Sequence, residues 1–184
     1  MASAAAAPVL LVGGWTLAAA RQPDGFDAVR GSISALAGAG AADAWVMTGA
    51  LAGLGACHLV TASGLRAAPA AARAGLALGG LATFAVAATP LPAEGGSGAH
   101  AVAAVVAFGA LAAWPALGRR SPVVRLLRPL PAAAAAAALG ALVLWVGQQA
   151  VTGGAALGLS ERAAAGAQAV YPLLVVLSAR ARRA

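Results

Sequence analysis

Side chains that could do chemistry are few in this chain, and the densest group lies in the stretch FDAVRGSISAL, residues 26–36. Asp27 and Arg30 stand one helical turn apart and can pair, while Ser34, one turn further on, can donate or accept a hydrogen bond. Such a group could bind a polar head group or supply a base. The alternative is a solvated ion pair, which contributes well under about 1 kcal/mol.

His100 is the second candidate, with Glu94 six residues before it. Histidine is the side chain that most readily takes up and releases a proton near neutral pH. His100 could therefore act as a proton relay, with Asp27, Asp43 or Glu94 as a base or counter-ion. The alternative is a histidine that only anchors its helix by hydrogen bonding.

A third polar group comes late in the chain, where Gln148 and Gln149 precede the pair Glu161 and Arg162. We treat all four as candidate ligand-binding residues, with Arg162 or Arg30 contacting an anionic head group. Polar groups at membrane depth are costly unless they face a protein interior or a wet cavity. Three separate stretches thus bring polar side chains to one level.

Apolar segments must position these groups, and the uncharged runs are long enough to cross a bilayer, which takes about 20 residues each. We predict an all-α polytopic membrane protein, a single domain over residues 1–184 with six transmembrane helices. The predicted spans are 4–20, 44–65, 74–92, 101–118, 130–152 and 163–179. A mean hydropathy of +0.86 and a charged fraction of 9% agree with this class.

The distribution of charge predicts the topology. All five acidic residues fall in the gaps 21–43, 93–100 and 153–162, whereas nine of the twelve arginines fall in the other gaps and the C-terminal tail. Under the positive-inside rule both termini are cytoplasmic and the acidic gaps face outward across the cell membrane. The net charge of +7 then reflects contacts with anionic lipids, and we expect no nucleic-acid partner.

The first outer gap also has a helical pattern. Phe26, Val29, Ile33 and Leu36 recur at three- and four-residue steps, which predicts a short amphipathic helix at the outer interface. The preceding segment has a rival interpretation, because Ala18–Ala20 resembles a signal-peptidase site. No basic residue precedes its apolar run, which favours a membrane span.

No cofactor or metal is expected. The chain lacks the glycine-rich phosphate-binding motifs, a GxSxG nucleophile elbow and HExxH. The other histidine, His58, lies about 20 Å deeper than Trp45 by helical rise. We expect it to be a neutral histidine hydrogen-bonded between helices. The single cysteine, Cys57, is expected to be a packing residue.

Two functions remain open from these residues. The outward polar cluster could bind or process a lipid or another lipophilic small molecule. Alternatively, the protein could be a noncatalytic scaffold or a homo-oligomer that contacts partner helices through Gly49, Gly53, Gly75 and Gly79, where small residues permit close approach. A small transporter is a minor alternative, because no acidic residue lies at mid-membrane.

The order of these motifs resembles a known family. FDAVRGSISAL, a span opened by Trp45, then Pro90 and His100, and finally the Ser160–Arg162 run are similar to the bacterial family called domain of unknown function 998. The resemblance implies a small membrane protein of usually six helices without an established reaction. Membrane hydrolases such as alkaline ceramidases and adiponectin receptors bind zinc with three histidines, whereas this chain has only two.

Overall fold

The computed structural model describes residues 1–121 and 123–181. Within them the chain is helical throughout, with seven α-helices and no strand, and this confirms the predicted all-helical class. The helices are α1 (Ala2–Ala20), α2 (Ile33–Leu36), α3 (Ala44–Gly64), α4 (Ala70–Ala88), α5 (Gly98–Leu117), α6 (Pro129–Thr152) and α7 (Leu157–Arg180). A single 3-10 turn, Arg125–Leu127, precedes α6.

Six of these helices are long and apolar enough to cross a membrane, and α2 is the exception. Each long helix packs against the next one along the chain, and α7 packs back against α1, so the six form a closed ring. Ser3 contacts Thr61 at one end of the ring, while Arg21 contacts Asp43 at the other, so α1 and α3 are antiparallel. The ring therefore brings the three acidic gaps together at one end, which we call the acidic end.

Helix α7 begins six residues before its predicted start, which places Glu161 and Arg162 inside the helix instead of in the outer gap. The link before it is short because Gly153 takes a left-handed conformation (φ 63°) after α6. The side-chain oxygen of Gln149 then accepts a hydrogen bond from the amide of Ala156, which is the N-cap of α7. The charged pair thus lies in the first turns of a span.

The predicted amphipathic helix in the first outer gap is wrong in length, because only Ile33–Leu36 is helical. The Asp27 carboxylate accepts hydrogen bonds from the amides of Val29 and Arg30, which holds residues 28–30 in a turn. Ser32 then caps the single helical turn by accepting from the amide of Ala35. Ile33 and Leu36 are buried as the pattern predicts, whereas Val29 is exposed.

The glycines proposed as partner contacts mostly pack within the ring. An added Cβ would lie 3.0 Å from Leu10 at Gly53, 2.9 Å from Leu117 at Gly75 and 2.5 Å from Leu111 at Gly79. At Gly49 it would meet no atom of the described residues within 4 Å. Three of the four glycines therefore serve contacts between helices of one chain, which corrects their assignment to a partner surface.

Candidate functional site

The site is built around Glu161, a carboxylate that is only 8% exposed near the start of α7. Its Oε2 accepts a hydrogen bond of 2.6 Å from the backbone amide of Ile33, the first residue of α2. Its Oε1 lies 3.2 Å from Oγ of Ser34. Because a buried carboxylate is costly unless it is hydrogen-bonded, the single turn of α2 is positioned by these contacts with α7.

His100 extends this network from α5. Ser97 caps the helix by accepting from the His100 amide, which fixes the backbone, and the imidazole is 6% exposed. Its Nδ1 lies 2.7 Å from the carbonyl oxygen of Thr89, and its Nε2 lies 3.0 Å from Oγ of Ser34. Ser34 therefore bridges His100 and Glu161, and we call these three residues the Ser34 bridge.

The two contacts of the Ser34 hydroxyl require one proton in addition to its own hydrogen. The Thr89 carbonyl can only accept, so Nδ1 of His100 must be the donor there. The Ser34 hydroxyl has a single hydrogen, yet it lies between Oε1 of Glu161 and Nε2 of His100, both of which are acceptors when unprotonated. Both contacts are hydrogen bonds only when one of those two flanking atoms is protonated. The bridge can thus pass a proton between the carboxylate and the imidazole through the serine hydroxyl.

Arg162 has a positioning role in the structure. Its Nη1 donates hydrogen bonds to the carbonyl oxygens of Ala28, Gly31 and Gly158 at 2.9, 2.8 and 3.0 Å. Its guanidinium carbon also lies 5.8 Å from the ring centre of Trp15 and 5.6 Å from that of Phe26. Arg162 therefore fastens the loop before α2 onto α7.

Four other candidates at the acidic end do not join the Ser34 bridge. Asp27 and Arg30 form an exposed pair with 3.6 Å between oxygen and nitrogen. Asp43 lies 2.9 Å from Arg21, and the hydrogen bonds from Arg21 and then from Trp45 hold the pKa of Asp43 below its ordinary value. Glu94 is exposed. The structure thus separates Asp27, Asp43 and Glu94 from His100, with which they were grouped on sequence.

Gln148 and Gln149 also stay apart from Glu161. Nε2 of Gln149 donates to Oε1 of Gln148 at 2.7 Å, while the Gln149 oxygen is occupied by the amide of Ala156. These two side chains close the turn between α6 and α7.

A narrow cavity extends from the Ser34 bridge into the ring, and the centre of a water-sized sphere can occupy about 50 Å³ of it. Every helix except α6 contributes to its wall. Its residues are mostly apolar, and the polar ones are Ser34, His58, Thr83, Glu161 and Gln168. The apolar wall includes Leu11, Ile33, Leu51, Leu54, Val86, Ala104, Ala107, Phe108, Leu111 and Ala165. The cavity therefore combines an apolar body with a hydrogen-bonding end at Glu161 and Ser34.

His58 differs from the sequence-based expectation. The side chain is fully buried, but neither ring nitrogen has a hydrogen-bond partner among the described residues. Gln168, which the sequence analysis did not single out, shares the wall and donates from Nε2 to the Phe108 carbonyl at 2.9 Å. Its spacing was a usable signal, because Glu161 and Gln168 are two turns apart and so share a face of α7.

No group of three or more histidine, cysteine, aspartate or glutamate side chains with metal-binding geometry occurs among the described residues.

Comparison with known proteins gives one match. The model of the family described as "Protein of unknown function (DUF998)" matches residues 4–178, nearly the whole chain. No curated protein and no solved structure matches significantly. With its six membrane-length helices, this chain is an integral membrane protein of unknown activity that belongs to the DUF998 family.

Proposed function

We propose that the protein binds a small lipophilic molecule in the cavity beneath the Ser34 bridge. The observation that carries this proposal is the burial of the Glu161 carboxylate at one end of an otherwise apolar cavity. A buried ionisable group inside a membrane-spanning bundle is costly and commonly serves function. Apolar cavities with a few convergent polar groups are also the usual form of small-molecule sites.

The polar end favours a ligand whose head group donates hydrogen bonds. Among the residues that the structure describes, Glu161 is the only acidic one on the wall, and none of the arginines lines it. Arg162 is directed to backbone carbonyls, and Arg30 lies outside with Asp27. A head group with a hydroxyl or an amine therefore fits, whereas an anion would find no arginine of the described residues with which to pair. This replaces the anionic head group expected from sequence.

Processing of the ligand would use the Ser34 bridge. Nε2 of His100 lies within hydrogen-bond distance of the Ser34 hydroxyl, so it can serve as a general base or return a proton to it. Ser34 also lines the cavity. The bridge therefore lies where it could exchange a proton with a bound head group.

The test uses photolabelling of the purified protein in lipid nanodiscs by a diazirine analogue of 1-octanol. We expect labelled peptides from α3, α5 and α7, with labelling suppressed by excess 1-octanol but not by octanoate. Ala107→Leu places a larger side chain in the cavity wall and should remove the labelling. Val105→Leu is the matched control, because Val105 is 73% exposed on the same helix. Equal labelling of both variants would refute the cavity as the binding site.

We also propose that the acidic end faces outward from the cell membrane, with both termini in the cytoplasm. At the other end Met1, Arg66 and Arg180 line an open groove of about 580 Å³, where anionic lipid head groups can neutralise the arginines. In a Cys57→Ala background, a membrane-impermeant thiol reagent should label Glu94→Cys in intact cells and label Arg125→Cys only after lysis. The reverse labelling pattern would show that the acidic end faces the cytoplasm and would refute this orientation.

The scaffold alternative has less support, because Gly53, Gly75 and Gly79 already pack within the chain.

A further inference from the structure

We infer that the cavity has a second polar end at His58, and that its ligand carries an uncharged hydrogen-bonding group there in addition to its head group at the Ser34 bridge. This inference rests on the proposed binding function and specifies the ligand as a short apolar molecule with two polar ends. An alkane diol of about eight carbons represents the class.

The hydrogen-bonding state of the His58 ring indicates the second polar end. The side chain is fully buried on the wall of the cavity, yet both Nδ1 and Nε2 lack a hydrogen-bond partner among the described residues. A neutral imidazole has one donor and one acceptor, and leaving them unsatisfied costs free energy. His100, the other histidine, has a partner for each ring nitrogen. His58 therefore has hydrogen-bonding capacity that the fold does not use.

His58 differs from the other unsatisfied groups because it lines the cavity. Among buried side-chain nitrogens of the described residues, those without a partner are Nδ1 and Nε2 of His58, Nε1 of Trp114 and Nη2 of Arg162. Trp114 packs edge-on against Tyr171, and neither Trp114 nor Arg162 lines the cavity. His58 is thus the one residue of the three that a ligand in the cavity can reach.

The distance between the two polar ends of the cavity sets the length of the ligand. Three helices line the cavity over intervals of seven residues, namely Leu51–His58, Ala104–Leu111 and Glu161–Gln168. Seven residues of α-helix rise about 10 Å. A molecule that reaches from the Ser34 bridge to His58 and Gln168 therefore has an apolar body of about that length.

The ionisable residues of the wall determine whether the ligand group beside His58 can be charged. Within the described ranges, Glu161 and His58 are the only ionisable residues on the wall, and they lie toward opposite ends of it. A charged group beside His58 would have no counter-charge there and would be costly to desolvate. A hydroxyl avoids this cost and can donate to one ring nitrogen or accept from the other. The buried end of the ligand is therefore uncharged.

The experiment uses the full chain, labelled with ¹⁵N-histidine, in lipid nanodiscs. His58 and His100 are the only histidines, so each reports on one end of the cavity. We titrate with octane, 1-octanol and 1,8-octanediol. The diol should shift the His58 ring signals and bind about threefold to tenfold more tightly than 1-octanol, the effect of one added hydrogen bond. Octane should leave the His58 ring signals nearly unchanged.

The decisive variant is His58→Leu, which removes both ring nitrogens at similar volume. The advantage of the diol should disappear, while 1-octanol still binds and shifts the His100 signals through Ser34. Without ligand, His58→Leu should unfold at a temperature no lower than the wild-type protein, because no protein hydrogen bond is lost. Equal affinity for diol and alcohol in the wild-type protein, or hydrogen-bonded His58 signals that no probe changes, would overturn the inference.

The two proposals fail in different ways. If Ala107→Leu leaves the binding of all three probes unchanged, the cavity is not the site and the proposed function itself is refuted. If Ala107→Leu abolishes binding but the His58 signals never respond, the cavity binds its ligand through the Ser34 bridge alone. That result would refute only the second polar end.

Discussion

The hydroxyl oxygen of Ser34 lies 3.0 Å from Nε2 of His100, a residue 66 positions away along the chain. The same oxygen lies 3.2 Å from Glu161, so a single hydroxyl joins two groups that can each hold a proton. The acceptor carbonyl of Thr89 makes Nδ1 of His100 a donor, whereas the Ser34 hydroxyl can donate either to Nε2 of His100 or to Glu161. This relationship makes the protonation state of each member depend on the other.

Two replacements of Glu161 distinguish the contribution of its charge to stability from that of its hydrogen bonds. Glu161→Gln can still accept from the Ile33 amide and can donate to Ser34, so we expect a free energy of unfolding close to that of the wild-type protein. Glu161→Ala leaves the Ile33 amide and Ser34 without this partner and should cost about 2 kcal/mol or more. Thermal or denaturant unfolding in nanodiscs measures both. Equal losses for the two variants would show that the negative charge itself holds α2.

The tautomer of His100 provides a second prediction. When His100 is neutral, its proton should reside on Nδ1, because Thr89 offers only a carbonyl acceptor. In Glu161→Gln the amide donates to Ser34, and Ser34 then donates to Nε2, so the neutral imidazole should carry its proton on Nδ1 in this variant too. ¹⁵N spectra of histidine-labelled protein distinguish the ring nitrogens. A proton on Nε2 of neutral His100 would contradict the assigned bridge.

Arg162→Lys should weaken the attachment of the first outer loop to α7. Lysine keeps the charge but cannot reproduce the planar guanidinium that donates to three carbonyls near the Trp15 and Phe26 rings. We expect a loss of about 1 to 3 kcal/mol in unfolding free energy. Arg30→Lys is the control, because Arg30 is exposed and pairs only with Asp27. A similar small effect at both positions would argue against the positioning role of Arg162.

Gly158→Ala tests how closely the same loop approaches α7. A Cβ at Gly158 would overlap the carbonyl oxygen of Gly31 and lie 2.7 Å from that of Ala28. Because both atoms belong to the backbone, we expect the loop to shift at a cost of about 1 to 3 kcal/mol. Gly147→Ala on α6 meets no described atom within 4 Å and should be neutral or slightly stabilising. Protection of the Ile33 amide from hydrogen exchange should fall only in Gly158→Ala.

The long helices could be predicted from sequence because each depends on a local property, an uncharged run long enough to cross a bilayer. Their ends were less accessible. Helix α7 begins early because the Gln149 side chain and Gly153 close a tight link, which hydropathy does not register. The helix predicted from Phe26 onward was shortened because Asp27 binds nearby backbone amides, which competes with helical hydrogen bonds.

The site could be predicted only in part. Ser34, His100 and Glu161 were all identified as candidates, but nothing in the sequence distinguishes them from Asp27, Asp43 and Glu94, which remain exposed. The difference is burial, and burial follows from how α2 packs against α1, α3 and α7. His58 illustrates the same limit, because the lack of a partner for a buried side chain is a property of the packed structure alone.

Closure of the ring by α7 against α1 has a consequence for biogenesis. Ser34 meets a partner 127 residues later in the chain, so during synthesis the loop that contains it is made long before Glu161 exists. Five of the long helices can insert in turn, but the polar bridge can assemble only after the last one is in place. A chain that ended before α7 would therefore keep the contact of Ser34 with His100 but lack the attachment of this loop to Glu161 and Arg162.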